Sequence, residues 1–258
     1  MKTLAMGAAV LASAALLAGS ASAATSPVFE TNYGAAIVGG DDQTADGSLP
    51  FAFTLFGQSY TGFQMSTNGF VSLGGSNGTG CCSGDVGAFL GGAARIAPEW
   101  FDIVGTGYLN TEVADRAVFT WVGGEYSVGG SYAAQAQLFA DGRIIFGYSG
   151  DSIPAAHTVL TGISAGGGVA DPGETELTGG PYSTGSARAV YDLAAANSFD
   201  LNGANVYFTP DAQGGYTVST TAVAGVPEPA TWAMMLAGFF GAGSILRANR
   251  SRRAVQAA

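Results

Sequence analysis

Residues 50–73 read PFAFTLFGQSYTGFQMSTNGFVSL, and this stretch decides the fold class. Side chains alternate between the two faces of a strand, so Phe51, Phe53 and Leu55 share one apolar face. Asn68-Gly69 supplies the residue types that a tight turn requires, because both tolerate positive φ angles. The pattern therefore predicts strands on both sides of a hairpin, and with them an antiparallel sheet.

Similar patterns recur along the rest of the chain. Glycine accounts for 41 of 258 residues and separates short β-branched and aromatic runs, which is typical of a β protein with many turns. Asp141-Gly142 predicts a second hairpin, and 187–197 is predicted to be a short helix or a loop. Further strands are predicted at 117–122, 132–139, 143–148, 157–163 and 204–209. The chain is thus expected to be all-β, with an antiparallel, sandwich-like body and glycine-rich loops.

The N-terminus carries a targeting pattern. Lys2 precedes an apolar run over 4–18, and Ala21-Ser22-Ala23 fits the small-residue site of signal peptidase. Residues 1–23 are therefore predicted to form a signal helix that signal peptidase removes, which leaves Ala24 as the first mature residue. An uncleaved N-terminal anchor is the alternative.

Residues 226–253 form a second targeting pattern, with three parts in a fixed order. A Pro-Glu-Pro triplet is followed by an uncharged apolar run over 230–246 and then by a basic cluster. The triplet and the cluster consist of Pro227, Glu228, Pro229, Arg247, Arg250, Arg252 and Arg253. The apolar run would make a helix of roughly 25 Å, which suits a transmembrane span. Arginines beside such a span favour the cytoplasmic side, so the body should face away from the cytoplasm.

This C-terminal arrangement resembles the PEP-CTERM sorting signal of Gram-negative bacteria. The resemblance implies recognition by exosortase, a membrane-embedded cysteine protease thought to cleave near the triplet. It also implies a transient hold in the inner membrane, followed by release to the cell surface or the extracellular polymeric matrix. A permanent C-terminal anchor is the alternative, and it too places the body outside the cytoplasm.

Residues 49–148 resemble a NIDO (nidogen-like) domain. Five elements carry the resemblance in family order: PFAFTLFG, YTGFQMSTNGFVSLGG, IAPEWFDI, AVFTW and AQLFADGRIIFGY. NIDO domains occur in extracellular matrix and adhesion proteins and are not known as catalysts. The resemblance therefore implies a structural or binding role, with an extracellular glycan or a surface protein as the ligand.

These segments predict a linear organisation. The signal peptide is followed by a lead-in segment with an acidic loop, the NIDO-like domain, a β extension of the same body, a last strand or spacer, and the sorting signal. The predicted boundaries after residue 23 are 24–48, 49–150, 151–210, 211–225 and 226–253.

Charge limits the possible partners. Residues 24–225 contain 18 acidic residues, four arginines and no lysine, so the body should repel nucleic acid and anionic lipid. Asp41, Asp42 and Asp46 lie close together in a polar loop and form a candidate Ca²⁺ site, although their spacing does not match an EF-hand. A solvated turn is the alternative, and no other cofactor is predicted.

The chain has two cysteines, Cys81 and Cys82, which are adjacent in sequence. Export to an oxidising compartment disfavours free thiols. A vicinal disulfide is therefore favoured, and two reduced thiols or an intermolecular bridge remain open.

The scarcity of residue types that act in catalysis favours a non-enzymatic protein. His157 is the single histidine, so a cluster of histidine ligands is impossible, and a half-buried or surface position is expected for it. The alternative function is an extracellular polysaccharide hydrolase that uses Glu99 and Asp102 as paired carboxylates. A permanently membrane-anchored surface scaffold is the third possibility.

Overall fold

Strands are the main regular structure of the body, and about half of the described residues lie in them. The computed structural model describes residues 28–150 and 153–222, and within them the chain forms 14 strands and one short helix. In chain order these are β1 (Ala35–Gly40), β2 (Thr44–Leu55), β3 (Gln58–Ser66), β4 (Phe70–Leu73), α1 (Val86–Gly91), β5 (Ala94–Trp100), β6 (Ile103–Asn110), β7 (Arg116–Glu125), β8 (Gly129–Phe139), β9 (Ile144–Gly150), β10 (Val159–Ser164), β11 (Tyr182–Ser183), β12 (Ala189–Ala194), β13 (Ala204–Pro210) and β14 (Tyr216–Ala222).

The strands form two antiparallel sheets. The eight-stranded sheet has the order β1-β6-β7-β8-β9-β13-β14-β11, and the six-stranded sheet has the order β12-β10-β5-β4-β3-β2. Aromatic side chains fill the space between the sheets: the rings of Phe63 and Phe119 meet edge to face at 4.8 Å, and those of Phe101 and Tyr132 at 5.1 Å. Each buried aromatic side chain contributes about 1.5–3 kcal/mol through burial. The prediction of an all-β sandwich is confirmed.

The chain crosses between the sheets at two places that lie close together. The first crossing is the turn between β1 and β2, and the second is the short step from β5 to β6. The hairpin between β3 and β4 links them, because the side chain of Asn68 in its turn bonds to both crossing segments. Both crossings therefore lie at one corner of the sandwich.

A second apolar cluster forms under the α1 helix. Phe89 and Leu90 of this helix pack with Phe70, Trp100 and other buried residues, separately from the main core. The guanidinium of Arg95 lies 4.4 Å from the ring centre of Phe70 and 4.0 Å from that of Trp100, which gives a cation–π contact on two sides. Burial lowers the pKa of Arg95 to about 10.

Both predicted hairpin turns are present. Gly69 has a φ of 80° between β3 and β4, and Gly142 has a φ of 86° between β8 and β9. Glycine at these positions avoids the steric penalty that a Cβ would bring.

Three stretches differ from the sequence prediction. Residues 187–197, predicted as a helix or a loop, contain β12, because all six of its residues pair with β10. The glycine-rich loop at 74–92 contains α1, which Asp85 caps by accepting the Ala88 N–H at 2.6 Å. The lead-in segment, for which no strand is predicted, contributes β1 and the first part of β2. After residue 210, where a last strand or a spacer is predicted, the structure has a strand, β14.

The predicted targeting helices fall outside the described residues. This applies to the signal peptide at 1–23 and to the sorting signal at 226–253, including its apolar run. Among residues 28–150 and 153–222, no helix has the length and apolar character needed to cross a bilayer.

Replacing Gly162 with alanine should destabilise the sandwich. Gly162 lies in β10 between β5 and β12, and a Cβ there would overlap the carbonyl oxygen of Val190 and lie 2.8 Å from the Cα of Tyr191. Because these are backbone atoms, we expect Gly162→Ala to lower the free energy of unfolding by about 1–3 kcal/mol, measured by denaturant titration. Gly91→Ala, where a Cβ meets no atom within 4 Å, is the control and should not destabilise. Equal stability of Gly162→Ala and the native chain would contradict the register of β10.

Candidate functional site

Three carboxylates meet at the corner where the chain crosses between the sheets. Asp41 and Asp42 lie in the β1–β2 turn, and Asp102 lies in the step from β5 to β6. One carboxylate oxygen from each lies within 4.8 Å of the other two. Asp41 is exposed and Asp42 half-buried, whereas Asp102 is only 4% exposed. We call these three residues the corner acids.

Asn68 positions two of the corner acids. Its side chain is fully buried, and its amide nitrogen donates to Asp42 Oδ1 at 2.7 Å and to the Thr79 carbonyl at 3.1 Å. Its amide oxygen accepts the Ile103 N–H at 2.9 Å, directly after Asp102. One side chain thus fixes the β1–β2 turn relative to the start of β6.

Glu125 and His157 lie beside the corner acids. Glu125 is buried and accepts the backbone N–H groups of Ala155, Ala156 and His157 at 2.8–2.9 Å. Burial alone would raise the pKa of Glu125, but these bonds and the one to the His157 ring outweigh it, and the pKa is lowered. His157 Nδ1 lies 2.8 Å from Glu125 Oε1. Since an ionised carboxylate only accepts, this nitrogen donates.

The electrostatic environment of Asp102 is unfavourable for its charge. Burial raises the pKa of Asp102, and the negative charges of Asp42, Asp41 and Glu125 raise it further, while His157 opposes them. His157 Nε2 is 3.8 Å from Asp102 Oδ2, which is too long for a hydrogen bond. The Oδ1 atom of Asp102 is buried and has no hydrogen-bond partner. The arrangement is therefore suited to accept a cation.

Asp46, the third member of the calcium site predicted from the sequence, does not belong to the corner acids. It lies on β2 opposite Gln64 of β3, and Gln64 Nε2 donates to Asp46 Oδ1 at 2.9 Å. The three-carboxylate cluster contains Asp102 instead. The reason is the strand itself, because pairing with β3 carries Asp46 away from the turn that holds Asp41 and Asp42.

Cys81 and Cys82 are joined by a disulfide, and both residues are exposed. Their sulfur atoms lie within 4.8 Å of a carboxylate oxygen of Asp102. The surrounding loop is fixed to the body, since the Gly80 carbonyl accepts the Trp100 indole N–H at 2.6 Å and the Gly84 N–H donates to Thr158 at 3.0 Å. The disulfide thus lies beside the corner acids.

An open groove runs along β2 and β3. It has a volume of about 580 Å³ and includes Asp46, Tyr60, Gln64 and Ser76 in its lining. The polar groups form a chain, in which the Ser76 hydroxyl donates to Gln64 Oε1 at 2.5 Å and Gln64 in turn donates to Asp46. Tyr60 is half-buried and adds an aromatic surface. We call this feature the β2–β3 groove.

The pKa values of Glu99 and Asp102 are both raised, but by different surroundings. Burial raises the pKa of Glu99 to about 8, and no neighbouring charge contributes to this shift. The charges that shift the pKa of Asp102 are those of Asp42, His157, Asp41 and Glu125. The hydrolase centre predicted on these two carboxyl groups stays a prediction.

Two serines lie within Gly-x-Ser-x-Gly sequences, Ser76 at 74–78 and Ser164 at 162–166. Ser164 ends β10 and its hydroxyl accepts the Gly166 N–H at 3.0 Å, whereas His157 precedes the start of this strand. Ser164 and His157 are seven residues apart, and at about 3.3 Å per residue of extended chain their Cα atoms are separated by roughly 20 Å. The Ser76 hydroxyl bonds to Gln64. Neither serine occupies a strand-to-helix elbow, which is the position of a hydrolase nucleophile.

The family comparison extends the predicted resemblance. A family model described as NIDO related matches residues 20–210. The chain belongs to the NIDO-related family. The match confirms the resemblance seen at 49–148 and also includes the stretch predicted as a β extension. The chain matches no curated protein and no solved structure.

Sequence reasoning missed three residues at the corner. Asn68 is recognisable as a turn residue, but nothing local shows that its amide joins distant segments. Asp102 is 60 positions from Asp42, and Glu125 contacts residues 30 and more positions away. The sorting residues at 227–229 and the basic cluster that follows the apolar run lie outside the described residues, so their prediction stands untested.

Glu99 should make stability depend on pH. Its pKa is raised from 4.5 to about 8 in the folded chain, so the folded state holds a proton that the unfolded state releases. The contribution of Glu99 to stability is therefore largest below pH 4.5 and is lost as the pH rises towards 8. Between pH 5 and pH 8 we expect the native chain to lose on the order of 3 kcal/mol relative to Glu99→Gln, measured by denaturant titration. Parallel pH profiles for the two proteins would contradict a buried, protonated Glu99.

Proposed function

We propose that this protein is an exported, non-enzymatic matrix or adhesion protein of a Gram-negative bacterium. Its NIDO-related body binds an extracellular glycan through the β2–β3 groove. Its two ends direct export across the inner membrane, a temporary hold there and release to the cell surface or to the polymeric matrix of a biofilm. Signal peptidase and exosortase act on it as processing enzymes.

Family membership is the observation that carries the proposal. The NIDO-related match extends over most of the body, and NIDO domains are typically extracellular. The disulfide between Cys81 and Cys82 agrees with an oxidising compartment. The acidic, lysine-free body argues against nucleic acid and anionic membrane surfaces as partners.

The lining of the groove favours a glycan over an apolar ligand. Sugars present hydroxyl groups that bond to amides, carboxylates and hydroxyls, and Gln64, Asp46 and Ser76 supply one of each. Tyr60 offers a rigid amphipathic surface against which a sugar ring can pack. The groove is open along the strands, which suits a chain-like ligand better than an enclosed small molecule.

Replacing Tyr60 or Gln64 with alanine should weaken glycan binding. Each change removes a surface that the proposal assigns to the ligand, so we expect the Kd to rise at least tenfold, about 1.4 kcal/mol. The probe is polysaccharide purified from the extracellular matrix of the producing cells, and binding is measured by calorimetry on the full chain in detergent. Gln58→Ala, an exposed glutamine on the same strand, is the control. Unchanged affinity in both groove variants would remove the groove from the proposal.

The sorting part of the proposal rests on the sequence of residues 226–253. Because proline does not fit the interior of a regular helix, the sequence predicts an extended segment at Pro227 and Pro229. An extended segment beside the membrane is accessible to a protease. A chain that keeps its tail would instead be the permanently anchored scaffold.

Replacing Pro227, Glu228 and Pro229 together with alanine should block release. We expect the variant to remain in the membrane fraction with its C-terminal tail intact, whereas the native protein is released with a lower mass. Cell fractionation followed by mass spectrometry of the mature product measures both properties. A released native protein that retains its tail, or a variant processed like the native chain, would exclude sorting through this triplet.

A further inference from the structure

The corner acids share a volume that fits one metal ion. Oxygens of Asp41, Asp42 and Asp102 lie within 4.8 Å of one another. Two oxygens on opposite sides of a Ca²⁺ ion at roughly 2.4 Å each would be about 4.8 Å apart. Three oxygens at this limit would lie about 2.8 Å from their common centre, so small side-chain shifts bring all three carboxylates to one ion.

Asp102 supplies an independent reason to expect a ligand. Its side chain is more than nine-tenths buried, and its Oδ1 atom has no hydrogen-bond partner. A buried polar atom without a partner costs free energy, and a buried charge costs more. A cation bound by the Asp102 carboxylate would lower both costs, because it would give the carboxylate a partner and balance its charge.

The histidine nearest Asp102 is already held by another carboxylate. His157 is held by Glu125 through Nδ1, and its Nε2 stays 3.8 Å from Asp102. Asp42 has one oxygen bound by the neutral amide of Asn68, which contributes no charge. Around the corner acids the described charges therefore sum to a strongly negative site.

The donor set identifies the class of cation. Carboxylate oxygens are the ligands that hard divalent cations prefer, while thiolates and imidazoles suit zinc and copper. Cys81 and Cys82 also lie near Asp102, but their sulfurs are joined to each other and carry no thiolate. Asp41 is exposed, so water can complete an irregular coordination shell, which Ca²⁺ tolerates better than Mg²⁺.

We propose that Asp41, Asp42 and Asp102 bind a Ca²⁺ ion that joins the β1–β2 turn to the β5–β6 step. The ion links the two crossings between the sheets at one corner of the sandwich. The site differs from the trio of neighbouring aspartates that the sequence predicts, because Asp102 takes the place of Asp46. It is independent of the glycan proposal, since the β2–β3 groove contains none of the three corner acids.

Calcium titration of the full chain in detergent tests the proposal. After EDTA treatment and dialysis, addition of CaCl₂ should raise the Tm and give a Kd on the order of 10⁻⁴ M, as in extracellular modules. Asp102→Asn keeps the shape of the side chain and removes its charge, so the Kd should rise at least tenfold. Asp41→Asn should also weaken binding. Because Asp41 is exposed, this variant tests the site even if Asp102→Asn fails to fold.

Asp46→Asn is the matched control, because it removes one acid from β2 and leaves the corner intact. It should bind CaCl₂ like the native chain, and loss of binding in this variant would overturn the assignment of Asp102. Absence of any CaCl₂ effect up to millimolar concentration in the native chain would overturn the site. A larger effect of ZnCl₂ that His157→Ala abolishes would overturn the choice of calcium.

Discussion

The buried side chain of Asn68 is the interaction on which this corner of the sandwich depends. Its amide bonds to Asp42 in one crossing between the sheets, to Ile103 in the other, and to Thr79 in the loop that carries the disulfide. A hydrophobic side chain could fill the same space but could not fix the direction of three backbone segments. Because hydrogen bonds are directional, a single turn residue sets the geometry of the corner acids.

Local patterns predict most of the fold and little of the site. The hairpins at Asn68-Gly69 and Asp141-Gly142 follow from turn chemistry that acts within a few residues. The strand at 189–194 could not be predicted, since it lies within the alanine-rich stretch 187–197, which is compatible with several structures, and pairing with β10 decides among them. The corner acids show the same limit: Asp41 and Asp42 are adjacent, but Asp102 joins them only through the sheet crossings.

Three buried carboxyl groups illustrate three ways of tolerating burial. Glu99 has no compensating charge, so its pKa rises to about 8 and it stays protonated at neutral pH. Glu125 stays ionised, because backbone N–H groups and His157 hold its pKa below the ordinary value. Asp102 has neither solution: its Oδ1 lacks a partner, and the charges of Asp42, Asp41 and Glu125 raise its pKa further, with only His157 opposing them. A residue with this combination is the one for which an external cation brings the largest electrostatic gain.

Export and a calcium site at this corner support each other physically. Ca²⁺ is scarce in the cytoplasm and abundant outside cells, so a site of modest affinity stays empty before export and fills after it. Any ion that binds only the folded state adds stability in proportion to the logarithm of its concentration. With the proposed export, the corner acids would stabilise the sandwich once the chain meets the higher Ca²⁺ concentration outside the cell. The acidic, lysine-free body, which offers no competing ammonium group, keeps that corner available to the ion.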